Sequence, residues 1–235
     1  MDLSIIIPTL NEAGYIGKTL DTLHQKKSGQ LDLEIIVIDA GSSDDTMGMV
    51  KGKVDILDQD PALKGAKYKS LNRGGNLANG KVLLFLDADS HVPIDFDLLI
   101  SEYLNRPNTV GGAFEFEMDG KGVIYRFTEW LNRIRYRLDG KYFGDQAIFC
   151  NKSVFEKTKG FPSKPIMEAA YFCRAMRKYG RVGLIKSKVL TSARRFQEGN
   201  VYKVLALDAF IWIQFTLGLC VDRYATEYWK ENERR

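Results

Sequence analysis

Along the first part of the chain, short apolar runs alternate with segments whose apolar residues recur at helical spacing. Leu3 to Ile7 reads as a buried strand, and Pro8-Thr9-Leu10-Asn11-Glu12 as the turn after it. Ile16, Leu20 and Leu23 follow at helical intervals, so a helix is expected there, with Asn11 as its N-cap. Leu33 to Ile38 is a second strand ending at Asp39. The loop Gly41-Ser42-Ser43-Asp44-Asp45 then leads into a short helix that Ser43 is suited to cap. Val54 to Leu57 reads as a third strand, and Gly65 to Ala78 as a helix interrupted at Gly74-Gly75. Val82 to Leu86 is an apolar run that can be covered on both faces, as in a parallel sheet, and it runs out into Asp87-Ala88-Asp89.

This β-α-β-α-β-α-β order predicts a largely parallel sheet with crossover helices. Ligands of such sheets gather beyond the carboxyl ends of the strands. Thr9, Asp39 and the Asp87/Asp89 pair all fall at such ends, so three polar positions converge on one edge.

Past Pro93 the pattern changes. Phe96 to Leu104 reads as a helix, Thr109 to Met118 alternates like an antiparallel strand, and Val123 to Leu138 is a long helix rich in aromatic and Arg residues. GDQAIFC ends at Cys150, and Val154 to Lys157 reads as a short helical turn. A helix opened by Pro165 runs to Tyr179 and stops at Gly180. Val182 to Leu190 is a strand, followed by Thr191-Ser192-Ala193-Arg194-Arg195-Phe196, and a last long helix starts near Val201. Its apolar stretch, Val204 to Val221, approaches the ~20 residues of a membrane span. Asp208 and Gln214 interrupt it, and Lys203 and Arg223 flank it. An amphipathic helix is expected, packed on the domain, on a second subunit or on a membrane surface.

Length and composition set the frame for these elements. With 235 residues, 45% hydrophobic and 27% charged, the chain suits a soluble globular protein of one large domain, or one domain and an arm. The net charge of +4 is mild and calls for no nucleic-acid partner. Its distribution matters more. Lys64, Lys67, Lys69 and Arg73 form one basic cluster, and Arg126, Arg133, Arg135 and Arg137 another; basic groups facing an acidic site suit a diphosphate. Cys150, Cys173 and Cys220 are odd in number and far apart, which points to a reducing compartment rather than a disulfide framework or a zinc site. No signal peptide is expected ahead of the first strand. A cytoplasmic location follows, peripheral at the inner face of the membrane if the last helix docks there. With His24 and His91 as the only histidines, a His-based triad is not expected.

The chemistry concentrates at Asp87 and Asp89. Two residues apart on an extended backbone, they point the same way. Carboxylates held close repel unless a cation neutralises them, and hard divalent ions prefer oxygen ligands. A site for Mg²⁺ or Mn²⁺ bridging to a phosphorylated ligand is one reading, and a pair of solvated loop acids the other.

Three motifs, IIIPTLNE (Ile5 to Glu12), IVIDAGSSDDT (Ile36 to Thr46) and FLDADS (Phe85 to Ser90), resemble the family 2 glycosyltransferases of GT-A fold. Further on, GDQAIFCNKSVFEKTKGFP (Gly144 to Pro162), PIME (Pro165 to Glu168) and TSARRF (Thr191 to Phe196) are similar to a small bacterial branch labelled radical-SAM/selenodomain-associated transferase 2, or arsenosugar-biosynthesis type. The resemblance covers nearly the whole chain. It implies an α/β, Rossmann-like mixed sheet, mainly parallel and flanked by helices, in a domain of residues 1–198. Residues 1–92 would form the nucleotide half, 93–198 the acceptor half, and 199–235 a C-terminal helical arm.

The resemblance also implies roles. Asp39 would contact the nucleotide base, usually uracil, with Pro8, Thr9 and Glu12 around the nucleoside and Arg73 reaching the base or diphosphate. Asp87 and Asp89 would form the metal motif, Asp89 as the direct ligand; members of the branch often carry His where Asp87 stands. Arg194 and Arg195 would lie beside the diphosphate. The expected reaction is inverting transfer from a UDP-sugar to an unidentified hydroxyl acceptor, with Mn²⁺ or Mg²⁺ stabilising the leaving group and a carboxylate as general base. Relatives usually carry Glu-Asp where this chain has Glu168-Ala169, so the second acid is missing. Ile166, Ala169, Ala170, Cys173 and Met176 form an apolar stripe. Glu168 lies about 200° round from Ile166, on a face that can look into the cleft. Glu168 and Asp145 are therefore the candidate bases. A sugar-phosphate nucleotidyltransferase, which would need a Gly-rich basic loop after the first strand, and a homologue that binds nucleotide without turnover are the alternatives.

Overall fold

The computed structural model describes residues 1–120, 122–139, 142–194 and 201–230. Arg195 lies outside them, as do the side chains of Arg135 and Arg137. The strands are β1 (Leu3–Thr9), β2 (Leu33–Asp39), β3 (Ile56–Gln59), β4 (Val82–Phe85), β5 (Ser90–His91), β6 (Thr109–Asp119), β7 (Ile148–Asn151) and β8 (Arg181–Ser192). Among the described residues they make one sheet in the order β3-β2-β1-β4-β7-β6-β8-β5. The helices are α1 (Ile16–Lys26), α2 (Thr46–Val50), α3 (Lys67–Leu77), α4 (Phe96–Leu104), α5 (Val123–Asp139), α6 (Lys152–Thr158), α7 (Glu168–Met176), α8 (Val201–Thr216) and α9 (Ala225–Lys230).

The first four strands are parallel, as the alternation of apolar runs and helices requires. Beyond β4 the sheet becomes mixed: β7 is antiparallel to both β4 and β6, and β8 runs parallel to β6. The alternation in β6 thus marks two differently covered faces, while most of its pairing is parallel. Side-chain period two explains the layers. Ile6, Leu83 and Phe85 pack toward α3, α6 and α7, whereas Ile5, Ile7, Leu84 and Leu86 pack toward α1 and α4.

Several boundaries differ from the sequence expectation. The third strand is shifted to Ile56–Gln59. Helix α3 runs unbroken through Gly74-Gly75 because those glycines admit close packing. A Cβ on Gly74 would lie 2.4 Å from Ile6 Cγ2, and one on Gly75 would lie 2.4 Å from Phe155 Cζ. Asn11 caps no helix: it takes φ 55°, and its side chain accepts from Ser43 N at 2.8 Å, tying the two loops together. Ser43 is likewise no cap, since α2 begins at Thr46. Helix α7 begins at Glu168 rather than Pro165, preceded by Met167 in left-handed backbone with φ 62°.

Helix α8 lies against the domain. Ile211 and Phe215 pack with Ile166, Ala170 and Val221, and Lys164 pairs with Asp222 at 2.8 Å. Phe210 and Ile213 stay exposed. Among the described residues no helix is long and apolar enough to cross a membrane.

Candidate functional site

The carboxyl ends of β2, β1 and β4 lie side by side, with Thr9 and Asp39 opposite each other in register. Asp39 is fully buried and its carboxylate is surrounded by donors. Thr9 Oγ1, Gly41 N and Gln59 Nε2 donate at 3.0 Å each, Ser42 N at 2.9 Å, and Ser42 Oγ also donates to it. Burial alone would raise this carboxyl; the donors from Ser42, Gln59 and Thr9 outweigh it and hold the group below its ordinary value. Asp39 therefore fixes the loop that follows β2. Ser42 in turn accepts from Asn11 N at 2.8 Å, and Thr46 Oγ1 from Glu12 N at 2.7 Å, so the loops after β1 and β2 form one wall.

At the end of β4 the two acids are each matched by a cation. Lys67, the first residue of α3, meets Asp87 Oδ1 at 2.6 Å. Arg194, just past β8, meets Asp89 Oδ2 through Nε at 3.0 Å. Its other nitrogens reach the two Glu12 oxygens at 2.6 Å each, and its Cζ sits 4.4 Å over the Tyr15 ring. Burial pushes the Asp89 carboxyl up to about 6; Arg194 opposes this, and the neighbouring Asp87 adds to it. Burial works against the Lys67 ammonium, but Asp87 and then Glu168 outweigh it and strengthen its hold on the proton.

Glu168 opens α7 as a buried carboxylate within the field of Lys67 and Asp87. Burial raises its proton affinity and Lys67 opposes the rise. Ala169 lines a small cavity with Lys67, Asp87, Gly144 and Phe161. A Cβ on Gly144 would come within 3.2 Å of Lys67 Nζ, so the glycine of the GDQ segment leaves the ammonium its room. Asp145 lies next in that turn, and its backbone carbonyl accepts from Thr191 Oγ1 at 3.2 Å. Arg73 stands apart from this cluster: it pairs with Asp58 on β3 at 2.6 Å and is half exposed. Of the second basic cluster, Arg126 pairs with Glu117 and Glu129, and Arg133 with Glu115.

The converging strand ends lie within the stretch that known proteins share. Residues 4–157 match the profile of Glycosyl transferase family 2. The chain belongs to that family. Among curated relatives, a PGL/p-HBAD biosynthesis glycosyltransferase of Mycobacterium bovis is 38% identical over 162 residues, 65% of this chain and 57% of that protein. A validoxylamine A glucosyltransferase of Streptomyces hygroscopicus subsp. jinggangensis is 34% identical over 91 residues, 36% of this chain and 21% of that protein. The chain thus spans little more than half the length of the mycobacterial relative. Among solved structures, S. aureus TarS 1-349 in complex with UDP-GlcNAc superposes with a TM-score of 0.65 at 20% identity, covering 82% of this chain and 58% of that one. The mannosyltransferase PcManGT from Pyrobaculum calidifontis, in complex with GDP-Man and Mn2+, gives 0.69 at 17% identity, covering 89% and 61%. The fold of this family 2 chain is accordingly GT-A, a mixed sheet flanked by helices.

Asp87 and Asp89 present at the strand end the carboxylate oxygens that a hard divalent ion takes as ligands, and here Lys67 and Arg194 occupy them as cationic partners. Among the described residues no group of three or more His, Cys, Asp or Glu side chains is arranged to hold a metal. Tyr15 was not singled out by sequence, and Lys67 was named only as one member of a basic cluster, not as the partner of Asp87. For Lys67 a signal existed: a lysine in the first helical turn opposes the helix dipole unless an anion faces it.

Proposed function

We propose that this chain is an inverting glycosyltransferase that moves a sugar from a UDP-linked donor to a hydroxyl acceptor. The observation that carries the reading is the convergence, on one sheet edge, of the Asp39 loop, the Asp87/Asp89 pair and the cations Lys67 and Arg194. Such an edge offers a nucleoside wall and a charged floor for a diphosphate. The UDP-GlcNAc of one structural neighbour and the GDP-Man and Mn2+ of another support the ligand class.

In this reading Pro8, Thr9 and Glu12 border the nucleoside, and Asp39 serves base recognition by fixing the Gly41–Ser43 loop. Asp89, with Asp87 beside it, would hold Mn²⁺ or Mg²⁺, which when bound neutralises charge on the leaving diphosphate. Arg194 supplies charge-assisted hydrogen bonds to the same oxygens. The acceptor oxygen attacks the anomeric carbon, the bond from that carbon to the diphosphate oxygen breaks, and configuration inverts. The hydroxyl proton passes to a carboxylate. Glu168 is assigned this role over Asp145 because it opens α7 at the turn where relatives carry their acid pair, and burial raises its proton affinity while Lys67 opposes the rise. Ala169 sustains a second reading, nucleotide binding with slow transfer, since no acid projects from that position into the cavity beside Asp87.

Calorimetry of UDP and GDP with and without Mn²⁺, followed by single-turnover transfer from UDP-sugars, tests the proposal. UDP binding that tightens with Mn²⁺, and loses this dependence in Asp89→Ala, is expected. Tighter binding of GDP would overturn the base assignment. Equal affinity in excess EDTA would overturn the metal assignment.

A further inference from the structure

Arg194 is more fully engaged than a residue waiting for a phosphate has to be. Its guanidinium has Glu12 on one edge at 2.6 Å and Asp89 at Nε at 3.0 Å. The Tyr15 ring lies under its face at 4.4 Å. The side chain is only 15% exposed. These contacts join the end of β8 to the turn after β1 and to the end of β4. Glu12, Asp87 and Asp89 are paired directly with the two cations Lys67 and Arg194, and Glu168 adds a further carboxylate in the field of Lys67, so the acids outnumber the cations.

That arrangement has a consequence for a divalent ion. An ion approaching Asp89 meets a guanidinium on the same carboxylate, and like charges at such range repel strongly in a partly buried site. A diphosphate changes the balance, because it offers the guanidinium a bidentate anionic partner of its own. Tyr15 has no charge to lose in the exchange. Its ring face can steady the planar guanidinium both before and after.

We propose that Tyr15, together with Glu12, positions Arg194 on Asp89 in the nucleotide-free chain, so that divalent ion and nucleotide diphosphate bind as a coupled pair. The guanidinium passes from Asp89 to the diphosphate as the ion takes Asp89. This inference rests on the nucleotide-sugar reading above. By linkage, the factor by which UDP tightens Mn²⁺ binding equals the factor by which Mn²⁺ tightens UDP binding.

Free Mn²⁺ measured by electron paramagnetic resonance gives the test, with titrations in the absence and presence of UDP. The native chain, Arg194→Met, Tyr15→Leu and Tyr15→Phe are compared, each shown to be folded by its thermal melt. Arg194→Met should bind Mn²⁺ alone about tenfold tighter than the native chain, since it removes one positive charge from Asp89. Its enhancement by UDP should shrink in step. Tyr15→Leu should shift both quantities in the same direction by a smaller factor, and Tyr15→Phe should match the native chain because the ring face is kept. A purely structural Tyr15 would lower the melting temperature in Tyr15→Leu without changing Mn²⁺ affinity, which would overturn its role. Native Mn²⁺ affinity in folded Arg194→Met would overturn the coupling while UDP binding kept the nucleotide-sugar reading intact. Absence of UDP binding in all four chains, with and without Mn²⁺, would overturn both.

Discussion

Lys67 sits where three arguments meet, so its replacement is the most informative single change. Lys67→Met keeps an apolar stem of similar length and removes the ammonium that faces Asp87 at 2.6 Å. Unit charges about 4 Å apart attract by about 4 kcal/mol at an effective dielectric of about 20. Withdrawing both groups from water offsets much of that gain. Stripping one partner from a fully buried pair costs about 3–5 kcal/mol, because the other charge is left uncompensated. Here the two side chains are 24% and 25% exposed, so water reaches Asp87. The expected loss falls to about 2 kcal/mol. Glu168 adds to the loss, since Lys67 offsets the repulsion between the Asp87 and Glu168 carboxylates. Urea unfolding at neutral pH, followed by tryptophan fluorescence, reads the effect. Adding Asp87→Asn to Lys67→Met should restore about 1 kcal/mol, a coupling that independent sites do not show. Two single variants each within ~0.5 kcal/mol of the native chain, with an additive double variant, would refute the buried-pair argument.

Glu168→Gln should cut single-turnover transfer by about 10²–10⁴-fold while leaving UDP affinity unchanged, as expected for loss of a general base; full activity would exclude Glu168. Ala169→Asp should raise turnover if the missing acid limits transfer, and no gain beside an active native chain would remove the slow-transfer reading. Asp39 holds its carboxyl below the ordinary 3.8, so the native state binds fewer protons than the unfolded one as pH falls past that value. Its contribution to stability is present above 3.8 and is lost as pH drops toward the lower folded value. Asp39→Asn should flatten the acid limb of a melting-temperature profile, and an unchanged limb would contradict this. Gly74→Ala gains about 1 kcal/mol of helix propensity but sets a methyl 2.4 Å from the buried Ile6 Cγ2. Overpacking at about 1–3 kcal/mol should prevail, and a stabilised variant in urea would show that β1 can yield.

The chain's local chemistry was enough to read the first half. Apolar runs too short for helices, separated by helical spacing, demand parallel strands with crossovers, and β1, β2 and β4 stand where their patterns put them. The polar residues at the strand ends were legible for the same reason, since strand direction alone sends Thr9, Asp39 and Asp87 to one edge. Where tertiary packing overrides local preference, the sequence misled. Gly74-Gly75 would weaken an isolated helix, yet α3 continues through them because Ile6 and Phe155 need the space a side chain would fill. Pro165 suits a helix start, yet α7 waits until Glu168. The ion pairs of the site were the least accessible. Arg194 lies 182 residues from Glu12, Lys67 lies 20 from Asp87, and Arg73 turns to Asp58 instead of the cluster. Which cation meets which carboxylate depends on how β8 and α3 pack against the ends of β1 and β4, and that is a property of the folded chain alone.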